Sequence, residues 1–150
     1  MAAPSHRPRT AGKHQTPGMS DATYIPGVCN IGPAEVRRRR QTGIAGAVAT
    51  AGVLGAAVAS GAPRPLRLLA VLPAAGAATG FIQAATHFCA GFGMRGVFNF
   101  GDTGSTDTIE QAEFRAEDQR RAREILVQSL AIGAAVGGAA LLLPRPVRAR

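Results

Sequence analysis

The sequence predicts an all-α, multi-pass membrane protein: three transmembrane helices at about 42–62, 66–92 and 125–143, with a charged helix at about 108–124. Three observations lead there. Residues 41–63, 68–94 and 125–144 contain no Asp, Glu, Lys or Arg, although the chain holds 17 Lys and Arg and 9 Asp and Glu. Each window reaches the ~20 residues a helix needs to cross a hydrocarbon layer, whereas a water-exposed helix of that length carries charge on its outer face. Arginines bracket every window. Averaged composition hides this, because charge is confined to the gaps between the windows.

The first 23 residues are polar, rich in Pro, Ser, His, Lys and Arg, and without periodicity, so they are expected to be a disordered tail. No apolar stretch resembling the core of a signal peptide occurs in the first 36 residues. Residues 24–150 are expected to form one three-helix membrane domain. Its entry, YIPGVCNIGP at 24–33, carries Pro-Gly and Gly-Pro turn signals beside Tyr, Ile and Val, which suits a membrane interface. Arg37, Arg38, Arg39 and Arg40 then form a contiguous basic run directly before the first window.

The first window is mostly Ala, Gly and Val, with Ile44 and Leu54 as its larger aliphatics. Such a helix inserts weakly alone, since Leu and Ile drive insertion far better than Gly or Ala. Pro63 and Pro65 stop it and restart the chain in a tight turn. The second window ends in THFCAGFGMRGVFNFG at 86–101, where glycines let the chain turn. In the loop that follows, Thr108 with Gln111 fits a capping box, and Asp107 and Glu110 put negative charge at a helix start. Glu117 with Arg121, and Arg120 with Glu124, have i,i+4 spacing. This charged helix leads into the third window.

Small residues recur at helical spacing. Gly76 with Gly80, and Gly133 with Gly137, are G-x-x-x-G pairs, and Gly52, Ala56 and Ser60 repeat the spacing in the first window. In lipid such faces let helix backbones approach closely, so tight packing is expected within the chain or between chains.

Orientation follows from Lys and Arg near the spans. Seven precede the first window, two (Arg64, Arg67) lie in the first loop, five (Arg95, Arg115, Arg120, Arg121, Arg123) in the second, and three follow the last window. A cytoplasmic N-terminus puts twelve inside and five outside. The expected placement is therefore the cell (inner) membrane, with the N-terminus cytoplasmic and the C-terminus outside. The Ala, Gly and Arg bias suits a GC-rich bacterial genome.

The net charge of +8 could signal nucleic acid, but the positive charges flank apolar windows, and one Tyr with no Trp gives no stacking platform. No nucleic-acid partner is expected; the bilayer is. Gly91, Gly93 and Gly96 have G-x-G-x-x-G spacing, yet no preceding strand or βαβ context exists for a dinucleotide, so no cofactor is expected. His87 and Cys89 would lie about 200° apart on a helix and cannot share a metal there; no metal site is expected. His87 instead aligns with Gly76, Gly80 and Gln83, giving Gln83 and His87 as a candidate intramembrane polar face. Cys29 and Cys89 flank the hairpin of the first two windows and form a candidate thiol pair, with Arg37, Arg38, Arg39, Arg40 and Arg95 near enough to lower a thiol pKa. Two cysteines do not make a disulfide scaffold, and a reducing cytoplasm disfavours a static bond. No catalytic triad, paired carboxylates or P-loop is visible.

CNIG at 29–32, the basic run at 37–40, GF at 80–81 and FCAGFGMRG at 88–96 resemble the small two-helix inner-membrane domain sometimes attached to rhodanese modules. The resemblance spans residues 28–96; the contiguous arginines, the charged loop and the third helix depart from that pattern, and no rhodanese module is present. It implies a membrane hairpin facing the cytoplasm, with Cys29 and Cys89 as positions for sulfur chemistry.

Three functions are compatible with these residues. The first is a non-catalytic accessory or scaffold subunit, as a homo-oligomer or within a larger membrane complex, with small-residue helices for contact and Arg37 to Arg40, Arg120, Arg121 and Arg123 setting topology. The second is a thiol-, sulfur- or redox-handling protein using Cys29 and Cys89. The third is a transporter or channel subunit using Gln83 and His87.

Overall fold

The computed structural model describes residues 23–144. Nearly all of the expected tail at 1–23, and the arginines beyond Pro144, lie outside the described residues. Among the described residues three helices are long and apolar enough to cross a membrane: Pro33–Ala59, Arg64–Thr86 and Ala112–Leu141.

Helix α1 (Pro33–Ala59) starts well before residue 42, so the arginine run lies inside it. Pro33 at the first helical position and Glu35 in the first turn favour that start, and arginine propagates helix well. Steps of 100° aim the four arginines all round the axis: Arg37, Arg38 and Arg40 are exposed, while Arg39 is half-buried.

A 3₁₀ segment (Arg64–Ala70) with Pro65 in its first turn leads into α2 (Val71–Thr86). The second span was expected to continue to residue 92. It ends at Thr86, because His87 takes a left-handed conformation (φ 52°) and its N–H caps onto the Gln83 carbonyl. A short helix α3 (Ala90–Arg95) follows and stops at left-handed Gly96 (φ 67°).

Strand β1 (Val97–Phe98) pairs antiparallel with β2 (Asp107–Thr108), setting Val97 opposite Thr108 and Phe98 opposite Asp107. Thr108 is thus a strand residue and not a helix cap. Helix α4 (Ala112–Leu141) begins after Gln111, without a side-chain cap, and joins the expected charged helix to the third window without a break. Arg121 pairs with Glu124 at 3.1 Å, one turn ahead, and not with Glu117.

Helix α2 is the centre of the bundle, contacting both α1 and α4. On the α1 side, a Cβ added at Gly46 would lie 2.7 Å from the Ala77 nitrogen, and one at Gly80 would meet the backbone of Gly43. On the α4 side, a Cβ at Gly133 would lie 2.7 Å from the Val71 carbonyl oxygen, and one at Gly137 would meet the Val71 side chain. Gly76 differs from its predicted partner: nothing among the described residues comes within 4 Å of its added Cβ. The α1–α2 contact uses Gly43 and Gly46 instead of the Gly52, Ala56 and Ser60 face, and α2 turns Gly76 away from both neighbours.

The buried residues of α4 form one stripe: Asp118, Ala122, Ile125, Ser129, Gly133, Gly137 and Ala140. Large apolar side chains point outward, among them Ile44, Val48, Leu69, Leu72, Val127 and Leu130.

Candidate functional site

The polar chemistry collects at one end of the bundle, where the start of α1, the end of α2, α3, the β1–β2 hairpin and the start of α4 meet. Residues 24–31 tie these elements together. Ile25 and Cys29 exchange backbone hydrogen bonds of 2.9 Å, closing a turn in which Gly27 takes φ 67°. The Gly27 N–H donates to Asp118 Oδ1 at 2.7 Å, which fastens the turn to α4.

Asn30 is fully buried and acts as a clamp. Its Oδ1 accepts the Cys89 N–H at 2.7 Å, and its Nδ2 donates to the Cys89 carbonyl at 3.2 Å. The backbone N–H groups of Asn30 and Ile31 both donate to the His87 carbonyl, at 3.1 and 3.3 Å. Asn99 extends the network: its N–H donates to the Asn30 carbonyl at 3.0 Å, and its own carbonyl accepts the Gly32 N–H at 2.7 Å. Asn99 Oδ1 then accepts Gly101 N–H and Ser105 Oγ, each at 2.9 Å, which shapes the hairpin loop. Such a network fixes one arrangement of a buried polar region, because each unmade bond is costly there.

The two thiols are free. The structure sets their segments side by side, since Asn30 follows Cys29 and grips Cys89. Their environments are unlike activated thiols. Burial pushes the Cys29 thiol above its ordinary pKa, partly offset by its contact with the Ile31 carbonyl at 3.9 Å. Cys89 is buried against Ile31 and Phe92. The lowering of the Cys29 pKa expected from nearby arginines is not realised, since burial outweighs the other influences on it.

Gln83 and His87 do not share a face. Gln83 is buried and bonded: Nε2 donates to the Thr79 carbonyl at 3.2 Å, and Oε1 accepts the Ala90 N–H at 3.0 Å. It therefore bridges the end of α2 to the first turn of α3, satisfying one of the donors a helix start leaves open. His87 lies outside the helix and is exposed, because its backbone makes the turn. Gly91, Gly93 and Gly96 belong to α3 and its cap, with Gly93 close to the Phe88 ring and the Asp118 carbonyl. Among the described residues no group of three His, Cys, Asp or Glu could hold a metal.

The arginines have two different surroundings. Glu35 is fully buried in the first turn of α1 and pairs with Arg38 at 3.6 Å and Arg39 at 3.3 Å. Arg39 and Arg95 both stand over the Phe92 ring, at 5.7 and 5.4 Å from its centroid. Arg120 and Arg121 share Glu124 on α4, at 3.7 and 3.1 Å.

At the opposite end, Arg67 is fully buried, although its place in a loop between spans suggests only a topology signal. Its Nη1 donates to the carbonyls of Ala140 at 3.1 Å and Leu143 at 2.5 Å, and Nη2 to Pro144 at 3.4 Å. The last turn of α4 has no basic residue of its own, so Arg67 supplies the missing donors and the favourable charge at that helix end. The sequence held one clue: a helix ending in LLLP, with no Gly to close it.

Open cavities among the described residues include an apolar and a polar one. An apolar groove of 560 Å³ lies over α2 between Leu54 on α1 and Ile132 on α4. A polar cleft of 740 Å³ at the capped end is lined by Gly27, Thr86, Glu117 and Arg120, among others. No protein-family model matches the chain, and no curated protein or solved structure is similar to it.

Proposed function

We propose that the chain is a small three-span protein of the bacterial inner membrane, N-terminus cytoplasmic, acting as an accessory or scaffold subunit without catalysis. One observation carries this reading: the bundle is sorted by size. Ala, Gly and Ser129 line most of the helix contacts, while many large aliphatic side chains face outward. Water penalises an outward apolar surface of this extent, whereas lipid favours it and leaves close small-residue contacts to hold the helices. Glycines at 52, 55, 76 and 138 have nothing within 4 Å among the described residues, which leaves backbone faces open for a helix of another chain.

The thiol alternative has the adjacency of the two cysteine segments in its favour, but the buried Cys89 and the raised Cys29 pKa give it little reactivity. The transporter alternative rests on Gln83 and His87, and the turn that leaves His87 exposed lends it little support. Purification from membranes in a mild detergent tests the subunit reading. Co-purification with a second copy or a larger complex is expected; a monomer without partners at every concentration contradicts it.

A further inference from the structure

We propose that Arg39 and Arg95, which stand over Phe92, together with Arg38, which shares Glu35 with Arg39, bind the phosphate of an anionic phospholipid headgroup. Three guanidiniums meet here with one carboxylate, Glu35, which serves Arg38 and Arg39 only. Arg95 joins no ion pair among the described residues; its Nε donates to the Gly91 carbonyl at 3.0 Å, which fixes the guanidinium and leaves its terminal nitrogens unused. The Nε of Arg39 is buried with no hydrogen-bond partner, an arrangement that is costly unless an acceptor arrives.

The ring organises the group. Arg39 and Arg95 both stand over Phe92, so one aromatic ring binds two like charges. Cation–π contact offsets part of their repulsion, and an anion between the guanidinium edges offsets the rest. Guanidinium edges match phosphate oxygens bidentately, which a point charge does not. Access is open, since the Arg38 side chain is 56% exposed, Arg95 is exposed and Arg39 retains 20%.

Position selects a lipid over a soluble anion. Arg39 lies about 7.5 Å along the α1 axis from Ile44, at the helical rise of ~1.5 Å per residue. Ile44 and Val48 are exposed apolar residues on α1, and Phe81 is one on α2. If those face acyl chains, the three guanidiniums lie at headgroup depth. Among the described residues, the other arginine group differs in having no third guanidinium and no aromatic ring: Arg120 and Arg121 share Glu124 on the exposed face of α4.

The proposal rests on the membrane reading, so the test separates the two. Flotation with phosphatidylcholine vesicles reads incorporation alone; failure to float contradicts the membrane reading. The melting temperature is then followed in a neutral detergent while phosphatidylglycerol, phosphatidylcholine or inorganic phosphate is added. Phosphatidylglycerol should raise it by several degrees and phosphatidylcholine should not. Native mass spectrometry of the unaltered protein should retain phosphatidylglycerol preferentially. The shift should fall by at least half in Arg38→Gln/Arg95→Gln and persist in Arg120→Gln/Arg121→Gln. Inorganic phosphate matching phosphatidylglycerol overturns the lipid assignment in favour of free phosphate. Equal effects of the two lipids, or a shift that survives Arg38→Gln/Arg95→Gln, overturn the site.

Discussion

Asp118 sits in the charged part of α4, before the apolar stretch, with one oxygen bonded to Gly27 and Oδ2 buried without a partner. Burial raises its pKa, and the Gly27, Tyr24 and Asn30 contacts only partly counter this, while neighbouring Glu117 adds to it. The Tyr24 hydroxyl is raised too, by burial first and then by the Asp118 charge. The native carboxyl therefore holds its proton to higher pH than the unfolded one. Over that window the folded protein binds more protons, so stability falls as pH rises from about 4 through the native pKa. Asp118→Asn should flatten this slope, and melting curves against pH in detergent would show it; an unchanged slope assigns the dependence elsewhere. Arg67→Leu should cost about 2 kcal/mol or more, because it strands buried carbonyls at the end of α4, and denaturant titration would measure the loss. Cys29 should alkylate slowly at neutral pH and faster as pH rises, with Cys89 protected until the fold opens; fast neutral modification of both would contradict the burial described. Of these roles, only that of Arg67 left a clue in the sequence, the unclosed helix end at LLLP. Asn30, Arg67 and Asp118 act on groups tens of residues away, and local spacing carries no trace of such pairings.

At the scale of elements the sequence was more informative. Charge-free windows located three helices long and apolar enough to cross a membrane, because a run of apolar residues is a local property. Boundaries moved for distant and local reasons. Asn30, far in sequence, and Gln83, near it, hold the backbone just after His87 where α2 ends early, whereas Pro33 and Glu35 start α1 early from within its own first turn. The glycine pairs show the same limit. Spacing identifies a small face, but not whether a neighbour covers it, so Gly80 and Gly76 look alike in sequence and differ in the bundle. Gly80→Ala should destabilise by about 1–3 kcal/mol through overpacking against α1. Gly76→Ala should stay within about 0.5 kcal/mol for the isolated chain, or gain slightly from helix propensity. Reversible unfolding in detergent compares the two; equal losses would contradict the α1–α2 packing. If a partner helix covers Gly76 in the membrane, its substitution should reduce co-purification while leaving this stability unchanged.

For the whole molecule, α1 begins and α4 ends at opposite ends of the bundle, with the polar network and most of the described charges at one end and the Arg67 cap at the other. The three long helices alternate in direction along the bundle, which is compatible with the threading the arginine count leads one to expect. The central claim is that this bundle crosses a bilayer three times with the polar-network end, where α1 begins, in the cytoplasm. Paired reporter fusions test it most directly, with activity read for fusions placed after Arg64 and after Gly104. The fusion after Gly104 should report cytoplasm and the one after Arg64 the opposite side; both reporting the same side would contradict the claim.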